Sequence, residues 1–363
     1  MFKQTLLGHK LQRLLVPRYD CAVHTFRPLS LWTFDSFIRL RASNTRAYST
    51  TNNNHKCLLK TSYPPTLNLK IFPSSILTMA QSPYIVEPTG PHTHSLIILH
   101  GLGSNGKKFG RKLLETGICS DGKSLPELLP GARFIFPTSK KRRSSAFRRS
   151  KLTQWFNIAS LEDPSYRNHT QAQGLEESSL EIFDLLDQER QKVPDKNIIL
   201  GGISQGCAMG LVCLLAMDFP IGGYFGMSSW LPFATEIQDF VTETEDAEFS
   251  DEDENPFDTS DDDEIRDLRT PSAKVHDYMR DLISLETHFL AEMGSLSTPV
   301  FMGHGDADWK IKPALGEEAC RTLRSVGFDV EWKLYEGLGH WYRVPDEIDD
   351  IVNFIRCKVG WSL

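Results

Sequence analysis

The chain has 363 residues, of which 40% are hydrophobic and 24% are charged, and its formal net charge is −7. This composition is typical of a soluble globular protein with one large or two medium cores. No apolar run approaches the roughly 18 residues of a membrane-spanning helix, which excludes a transmembrane protein. The seven cysteines form no CxxC pair and no metal-ligand spacing. They therefore predict reduced thiols in the cytoplasm, the nucleus or an organelle.

Residues 1–78 differ from the rest of the chain in charge. They contain many Lys and Arg residues, but Asp20 and Asp35 are their only acids. One interpretation is a mitochondrial presequence with "RAYST" (Arg46 to Thr50) as the processing site. The favoured alternative is that the segment is an unstructured extension, or that translation starts at Met79 and the segment is not part of the protein, because Pro17 interrupts any amphipathic helix there. Only the first interpretation predicts a mitochondrial location.

From about Ser82 onward, the sequence alternates between strand-like and helix-like segments, as α/β proteins do. "HSLIILHG" is a continuous apolar run that ends in glycine, as expected of a strand buried on both faces. The pattern recurs in "ARFIFPTS", "KNIILGG", "GGYFGMSSWLP", "STPVFMGHGDAD" and "VEWKLYEGLGH". "GLEESSLEIFDLLDQERQK" and "PDEIDDIVNFIRCKV" are predicted helices. The succession predicts residues 79–363 to be one domain with a mostly parallel sheet.

Two segments interrupt this alternation. Residues from about 241 to 268, "ETEDAEFSDEDENPFDTSDDDEIRD" at their centre, are too acidic to fold and predict a disordered, solvated insertion. Residues from about 272 to 294 carry apolar side chains at helical spacing, which predicts an added helix. We expect this helix to pack on the domain; a lid over the active site is the alternative.

The stretch "GGISQG" places Ser204 between glycines, after an apolar strand and before a helix of small residues. Such a strand-to-helix turn exposes a serine hydroxyl above the sheet, and the helix N-terminus favours negative charge there. A serine still needs a base and a carboxylate that orients the base. The context predicts Ser204 to be a nucleophile; an inactive glycine-rich turn is the alternative.

Two polar side chains downstream complete this pattern. Asp308 follows the strand in "GHGDADWKI", and His340 follows the next strand in "YEGLGHWY". Catalytic groups of open α/β sheets lie at the carboxyl ends of strands, so we predict Asp308 to orient His340 as the general base. Asp306 and His304 are more simply members of the strand-end loop. "HGLGSNG" follows an earlier strand and predicts an oxyanion hole from the backbone N–H groups of Leu102 and Gln205.

The chain resembles the acyl-protein thioesterase, lysophospholipase and carboxylesterase family of α/β-hydrolases over roughly residues 90–358. The resemblance rests on "LHGLGSNG", "QWFNI", "IILGGISQG", "SSWLP", "GHGDAD" and "YEGLGH", all in family order. It implies an α/β-hydrolase fold with helices on both faces of the sheet, no large separate cap domain, and no metal or cofactor. It also implies Ser204, Asp308 and His340 as the triad, Leu102 and Gln205 as oxyanion donors, and Trp155 in the wall of the acyl site. Trp341, which replaces a small residue usual in animal thioesterases, is a further candidate for substrate contact.

The same resemblance implies hydrolysis of acyl thioesters or esters, with removal of long acyl chains from S-acylated proteins as the favoured reaction. Lysophospholipid hydrolysis and short-chain carboxylic ester hydrolysis are the alternatives within this class. A binding module that keeps the fold without catalysis is the alternative from a different class. The expected partners are therefore S-acylated proteins or lysophospholipids, and no nucleic acid.

The segment from Lys140 to Lys151, "KKRRSSAFRRSK", carries seven basic residues just before Trp155. A solvated flexible loop is one interpretation. Attraction to an anionic membrane surface is another, because S-acylated proteins and lysophospholipids reside there. A third is pairing with the acidic tract of the same chain.

Overall fold

The computed structural model describes residues 81–249, 269–287 and 292–362. Within these residues, seven strands form one sheet in the order β1-β3-β2-β6-β7-β8-β9. The pair β1 and β3 is antiparallel, and the other neighbours are parallel. The seven strands of this sheet are β1 (Tyr84–Val86), β2 (His94–Leu99), β3 (Ala132–Phe136), β6 (Ile198–Ile203), β7 (Gly223–Met227), β8 (Val300–Gly305) and β9 (Val330–Tyr335). The other two strands, β4 (Lys141–Arg143) and β5 (Lys151–Thr153), pair with each other outside it. This arrangement confirms the predicted α/β-hydrolase class and its mostly parallel sheet.

Helices cover both faces of the sheet. They are α1 (Gly106–Thr116), α2 (Leu125–Leu128), α3 (Ala172–Arg190), α4 (Gln205–Ala216), α5 (Ala234–Phe249), α6 (Pro271–Leu282), α7 (Pro313–Val326) and α8 (Asp346–Cys357). Side chains of α1 and α8 pack into the core on one face, and those of α3, α4, α6 and α7 pack into the core on the other. No separate cap domain is present among the described residues.

Strand β2 shows why the apolar runs of the sequence become central strands. Leu96 and Ile98 point into one core, while Ile97 and Leu99 point into the other, and all four are fully buried. Because successive side chains of a strand alternate between faces, a strand covered by helices on both sides needs apolar residues at every position. Burying each such side chain stabilises the fold by about 1.5–3 kcal/mol.

The basic segment is an ordered hairpin in this structure. Strands β4 and β5 pair antiparallel and form a separate two-stranded sheet. Arg142 pairs with Glu177 at 2.9 Å, and Lys140 lies 3.1 Å from the buried carboxylate of Glu181. These ion pairs fasten the hairpin to α3, so the interpretation as a flexible loop is wrong for its stem.

The acidic insertion begins later than predicted. Helix α5 continues through Phe249, so residues 241–249 are helical, whereas a loop was expected from about residue 241. Apolar side chains explain the entry into this helix, because Ile237 and Val241 are both buried in the core. The remainder of the predicted insertion, residues 250–268, lies outside the described residues, as do residues 1–78.

The added helix is shorter than predicted. Helix α6 ends at Leu282, whereas the apolar spacing indicated a helix to about residue 294. Ser284 has a positive φ of 56°, which ends the helical path. The side chain of Arg280 then holds the chain that follows, because its Nε donates to the carbonyl of Glu286 at 2.6 Å. The chain after α6 is thus held by a side-chain contact that the helical periodicity does not reveal.

Among the described residues, no helix combines the length and the apolar character needed to cross a bilayer. Within the same part of the chain, no group of three or more His, Cys, Asp or Glu side chains is arranged to hold a metal ion.

Candidate active site

Ser204 lies on a sharp turn between β6 and α4. Its φ of 55° and ψ of −127° are unusual for a residue with a side chain, so the turn is strained. The flanking glycines allow it: a Cβ at Gly202 would lie 2.7 Å from the carbonyl carbon of Gly206, and one at Gly206 would lie 2.4 Å from the carbonyl oxygen of Leu99. The turn is held by a hydrogen bond from the Ser204 N–H to Met227. The hydroxyl therefore projects from the carboxyl edge of the sheet.

His340 and Asp308 come from the loops after β9 and β8 and meet Ser204 at this edge. His340 Nε2 lies 2.9 Å from Ser204 Oγ, and its Nδ1 lies 2.7 Å from Asp308 Oδ2. The structure thus brings the three predicted triad residues into one continuous chain of hydrogen bonds. This geometry matches that of a nucleophile, its base and the carboxylate that orients the base.

Asp308 is buried and heavily hydrogen-bonded. Its Oδ1 accepts from the backbone N–H groups of Lys310 and Ile311 at 2.9 and 3.1 Å. Its Oδ2 faces His340 and also His304, whose Nε2 lies 3.2 Å away. Burial alone would raise the pKa of Asp308, but these hydrogen bonds outweigh it and hold that pKa well below its usual range. The carboxylate therefore stays ionised at neutral pH.

His304 has a role that the sequence did not reveal. Its Nε2 lies between two acceptors, the carbonyl of Ile311 at 3.0 Å and Oδ2 of Asp308 at 3.2 Å, and therefore carries the proton. The ring is fully buried, and Gly316 leaves room for it, since a Cβ there would lie 2.5 Å from Nδ1. His304 consequently fixes the position of Asp308. Asp306 instead accepts from the N–H of Gly337 at 2.6 Å, which joins the two strand-end loops.

Leu102 and Gln205 flank Ser204 on the side where an oxyanion would form. Neither of their backbone N–H groups has a hydrogen-bond partner within the described part of the chain. Gln205 is the first residue of α4, so its N–H also carries the positive end of the helix dipole. Its side chain is fixed, because the amide accepts from the Trp155 N–H and donates to the Phe156 carbonyl. Two N–H groups next to the serine without partners among the described residues fit the predicted oxyanion hole, which needs donors available to a developing negative charge.

A cavity of about 430 Å³ opens at Ser204 and His340. Its walls are mostly apolar, and three aromatic side chains at its mouth are partly or largely exposed: Phe147 by 39%, Trp341 by 41% and Trp309 by 78%. The lining residues are Gly101, Leu102, Ser104, Phe109, Phe147, Leu161, Ile203, Ser204, Trp309, Lys310, Ile311, His340 and Trp341. The structure thus places Trp341 against the cavity, and its contact with substrate stays a prediction.

Trp155 does not line the cavity, and the expectation for it is wrong. Its indole is fully buried, and Nε1 donates to the carbonyl of His100 at 2.8 Å. Its own carbonyl accepts from the hydroxyl of Ser178 at 2.6 Å. These bonds hold the ring behind the loop that carries Leu102. Trp155 therefore packs against His100 and lies outside the set of residues that line the cavity.

His100 stacks against Trp155 in this supporting layer, with ring centroids 5.0 Å apart. Its Nδ1 donates to the carbonyl of Gly101, and its Nε2 accepts from the N–H of Ser139. Burial lowers the pKa of His100 to about 4, so the ring stays neutral. The sequence motif contained His100, but nothing in its spacing distinguished a supporting histidine from any other loop residue.

Cys207, the third residue of α4, is fully buried next to the nucleophile turn. Burial raises the pKa of its thiol to about 11. The hydroxyl of Tyr224 donates to its carbonyl at 2.6 Å. Cys207 is therefore a packing residue, and Ser204 remains the candidate nucleophile of this site.

Comparison with known proteins identifies relatives that are esterases and thioesterases by name. Residues 80–249 match the family described as Phospholipase/Carboxylesterase. The chain is 26% identical over 280 residues to acyl-protein thioesterase 1 of Gibberella zeae, an alignment that covers 76% of this chain and 94% of the relative. It is 24% identical to acyl-protein thioesterase 1 homolog 1 of Dictyostelium discoideum, covering 77% of this chain and 97% of the relative.

Solved structures of similar fold include Zea mays acyl-protein thioesterase 2, with a TM-score of 0.52 and 25% identity. The match covers 77% of this chain and 99% of the maize protein. Arabidopsis thaliana SOBER1 has the same fold, with a TM-score of 0.51 and 20% identity, covering 74% of this chain and all of SOBER1. The chain is thus similar to the phospholipase/carboxylesterase family over residues 80–249, has an α/β-hydrolase fold, and is a serine hydrolase that acts on esters or thioesters.

Proposed function

We propose that this enzyme removes long acyl chains from S-acylated proteins through Ser204, His340 and Asp308. One observation carries the proposal: the 2.9 Å contact between Ser204 and His340 opens directly into an apolar cavity of about 430 Å³. An apolar cavity of this size suits an acyl chain, and the serine in its wall suits attack on the acyl carbon. The acyl-protein thioesterases among its relatives support the same substrate class.

In the proposed mechanism, Ser204 Oγ bonds to the acyl carbonyl carbon while His340 Nε2 takes the hydroxyl proton. Asp308 holds Nδ1 protonated and stabilises the imidazolium. The carbonyl oxygen becomes an oxyanion that accepts hydrogen bonds from the N–H groups of Leu102 and Gln205. When the carbon–sulfur bond breaks, the thiolate leaves and takes the proton from His340. Water, deprotonated by His340, then releases the fatty acid from Ser204.

Turnover by the full-length chain tests this function, with Ser204→Ala as the matched control. We expect a palmitoyl-thioester peptide to be hydrolysed faster than lysophosphatidylcholine or a short-chain aryl ester. Removing the nucleophile is expected to lower kcat by about 10⁶, because the remaining triad members act only through it. The same substitution should abolish labelling by a fluorophosphonate probe, which reacts only with an activated serine.

The three substrates distinguish the alternatives. Activity confined to lysophosphatidylcholine would make lysophospholipase the function in place of thioesterase. Activity confined to the aryl ester would make it short-chain carboxylesterase. Turnover that survives in Ser204→Ala would contradict the assigned nucleophile. Labelling of native protein and loss of labelling in the variant would support the nucleophile whichever substrate is preferred.

We further propose that the mouth of the cavity contacts an anionic membrane surface. The exposed aromatic rings of Phe147, Trp309 and Trp341 are of the kind that enter the interfacial layer of a bilayer. Phe147 belongs to the hairpin whose Arg148 and Arg149 are exposed and form no ion pair with any described residue. Such a surface would bring the cavity to the acyl chains of membrane-bound substrates.

Cosedimentation with vesicles tests this contact. Binding to phosphatidylcholine vesicles should increase when phosphatidylserine is added and should decrease at high salt. The double substitution Arg148→Gln and Arg149→Gln should weaken binding about tenfold or more, since each basic residue near the surface contributes about 1 kcal/mol. The pair Lys196→Gln and Arg321→Gln, two exposed residues away from the hairpin, is the control. Binding that ignores both lipid charge and salt would contradict the proposal.

A further inference from the structure

Lys310 is the single lysine or arginine among the residues that line the catalytic cavity. It follows Asp308 by two positions, and its backbone N–H is one of the two donors to Asp308 Oδ1. Its ammonium lies 5.4 Å from the centroid of the Trp309 ring, and that ring is 78% exposed. The positive charge therefore lies at the mouth of the cavity and not in its apolar interior.

The position of Ser204 determines which part of a bound substrate lies next to the ammonium group of Lys310. The apolar interior takes the acyl chain, because fatty methylenes gain about 0.8 kcal/mol each on leaving water. The carbon under attack lies at Ser204 Oγ, so the group bonded to its sulfur points back towards solvent. The leaving group consequently lies at the mouth, where Lys310 is.

Other charged residues next to the lining residues have both signs. Arg148 and Arg149 directly follow Phe147, a lining residue, in the tip of the hairpin. Glu162 and Asp163 follow another lining residue, Leu161, and both are exposed. The carboxylate of Asp163 accepts from the N–H and the hydroxyl of Ser165, and it keeps its negative charge because both donors are neutral. The three cations Lys310, Arg148 and Arg149 thus outnumber these two carboxylates, and Lys310 alone among the five lines the cavity itself.

We propose that Lys310, together with Arg148 and Arg149, makes the enzyme select S-acylated peptides with acidic side chains beside the acylated cysteine. This inference rests on the proposed thioesterase function and names its substrate class. The attraction acts on the bound substrate and on the transition state alike, because the charges lie on the leaving peptide and not on the reacting carbonyl. The selectivity is therefore expected in KM and not in kcat.

Matched thioester peptides test this selectivity. We would measure kcat and KM of the full-length chain with three octanoyl-thioester peptides that differ only in aspartate, asparagine or lysine on both sides of the cysteine. Lipid is left out, and the ionic strength is low. The kcat/KM of the aspartate peptide should be about tenfold higher than that of the lysine peptide, and the difference should arise from a lower KM. Salt at 0.5 M should reduce this ratio of kcat/KM values. Lys310→Gln should lower the ratio to about threefold or less.

Lys312→Gln is the matched control, because Lys312 is exposed and two positions away but does not line the cavity. It should leave the ratio near its native value. Equal kcat/KM for the three peptides would overturn the selectivity while leaving the thioesterase function intact. An equal loss of the ratio in Lys312→Gln would assign it to general surface charge and would also overturn the role of Lys310. Hydrolysis of an aryl ester without hydrolysis of any thioester peptide would overturn both proposals.

Discussion

Replacing Asp308 by asparagine is expected to lower kcat by about 10⁴ while the fold is retained, because the substitution inverts the tautomer of His340. An asparagine offers one acceptor oxygen and one NH₂ donor in place of two acceptor oxygens. The N–H groups of Lys310 and Ile311 both point at the position of Oδ1, so the asparagine oxygen must lie there. The NH₂ group then occupies the position of Oδ2.

In this orientation the two N–H donors of the asparagine NH₂ group face the rings of His340 and His304. His340 Nδ1 now lies against an NH₂ group and must accept a hydrogen bond, which moves its proton to Nε2. A protonated, neutral Nε2 facing Ser204 Oγ cannot take the serine proton. The Nε2 proton of His304 also loses one of its two acceptors. The loss is therefore expected in kcat, with little change in KM, because the cavity walls are untouched.

Asp306→Asn is the matched control for this prediction. Asp306 uses one oxygen to accept from the Gly337 N–H, and an asparagine oxygen can do the same. We expect it to change kcat by less than about tenfold, as an interaction outside the catalytic chain should. Steady-state kinetics with one thioester substrate measures both variants. Asp308→Asn with more than a tenth of native kcat would refute the assigned orienting role.

The sequence predicted the sheet and the three triad positions because both depend on local patterns. An apolar run bounded by glycine becomes a buried strand, as in β2 and β6, and polar residues after such strands lie at one edge of the sheet. Ser204 directly follows β6, and Asp308 and His340 lie in the loops that follow β8 and β9. Their proximity thus follows from the parallel arrangement of these strands in one sheet. Predicting that arrangement does not require knowledge of individual side-chain contacts.

The supporting residues could not be predicted in this way. Trp155 was expected in the cavity wall, yet its indole N–H reaches the His100 carbonyl and turns the ring into the core. His304 contacts Asp308 only because the loop after β8 folds back on its own strand. The end of α6 depends on Arg280, whose partners lie on other segments, including Asp218 at 2.7 Å. Each of these positions depends on a specific side-chain contact that leaves no periodic signal in the sequence.

Glu347 is a buried acid whose environment also could not be predicted from the sequence. It lies in the first turn of α8 and is 1% exposed. Its Oε2 accepts from the N–H of Arg343 at 2.8 Å, while Oε1 has no hydrogen-bond partner among the described residues. Gly303 leaves the space for this carboxyl, since a Cβ there would lie 2.1 Å from Oε1. Burial raises the pKa of Glu347 to about 8, and the hydrogen bond from Arg343 offsets only part of this effect.

This raised pKa makes the stability of the protein depend on pH. The folded chain keeps the proton on Glu347 up to about pH 8, whereas the unfolded chain releases it near the ordinary value of 4.5. The contribution to the free energy of unfolding is therefore fully present below about pH 4.5 and is lost as the pH rises to about 8. Since one pKa unit corresponds to about 1.4 kcal/mol, this loss amounts to a few kcal/mol.

Glu347→Gln is expected to remove most of this loss, because a glutamine keeps the acceptor for Arg343 and has no proton to release. The variant should match the native protein within about 1 kcal/mol at pH 5 and exceed it by a few kcal/mol at pH 8.5. Urea unfolding of both proteins across this pH range measures the difference. Glu317→Gln, an exposed acid on α7, is the control and should follow the native curve. A Glu347→Gln curve with the native slope between pH 5 and 8.5 would show that Glu347 is ionised in the folded chain.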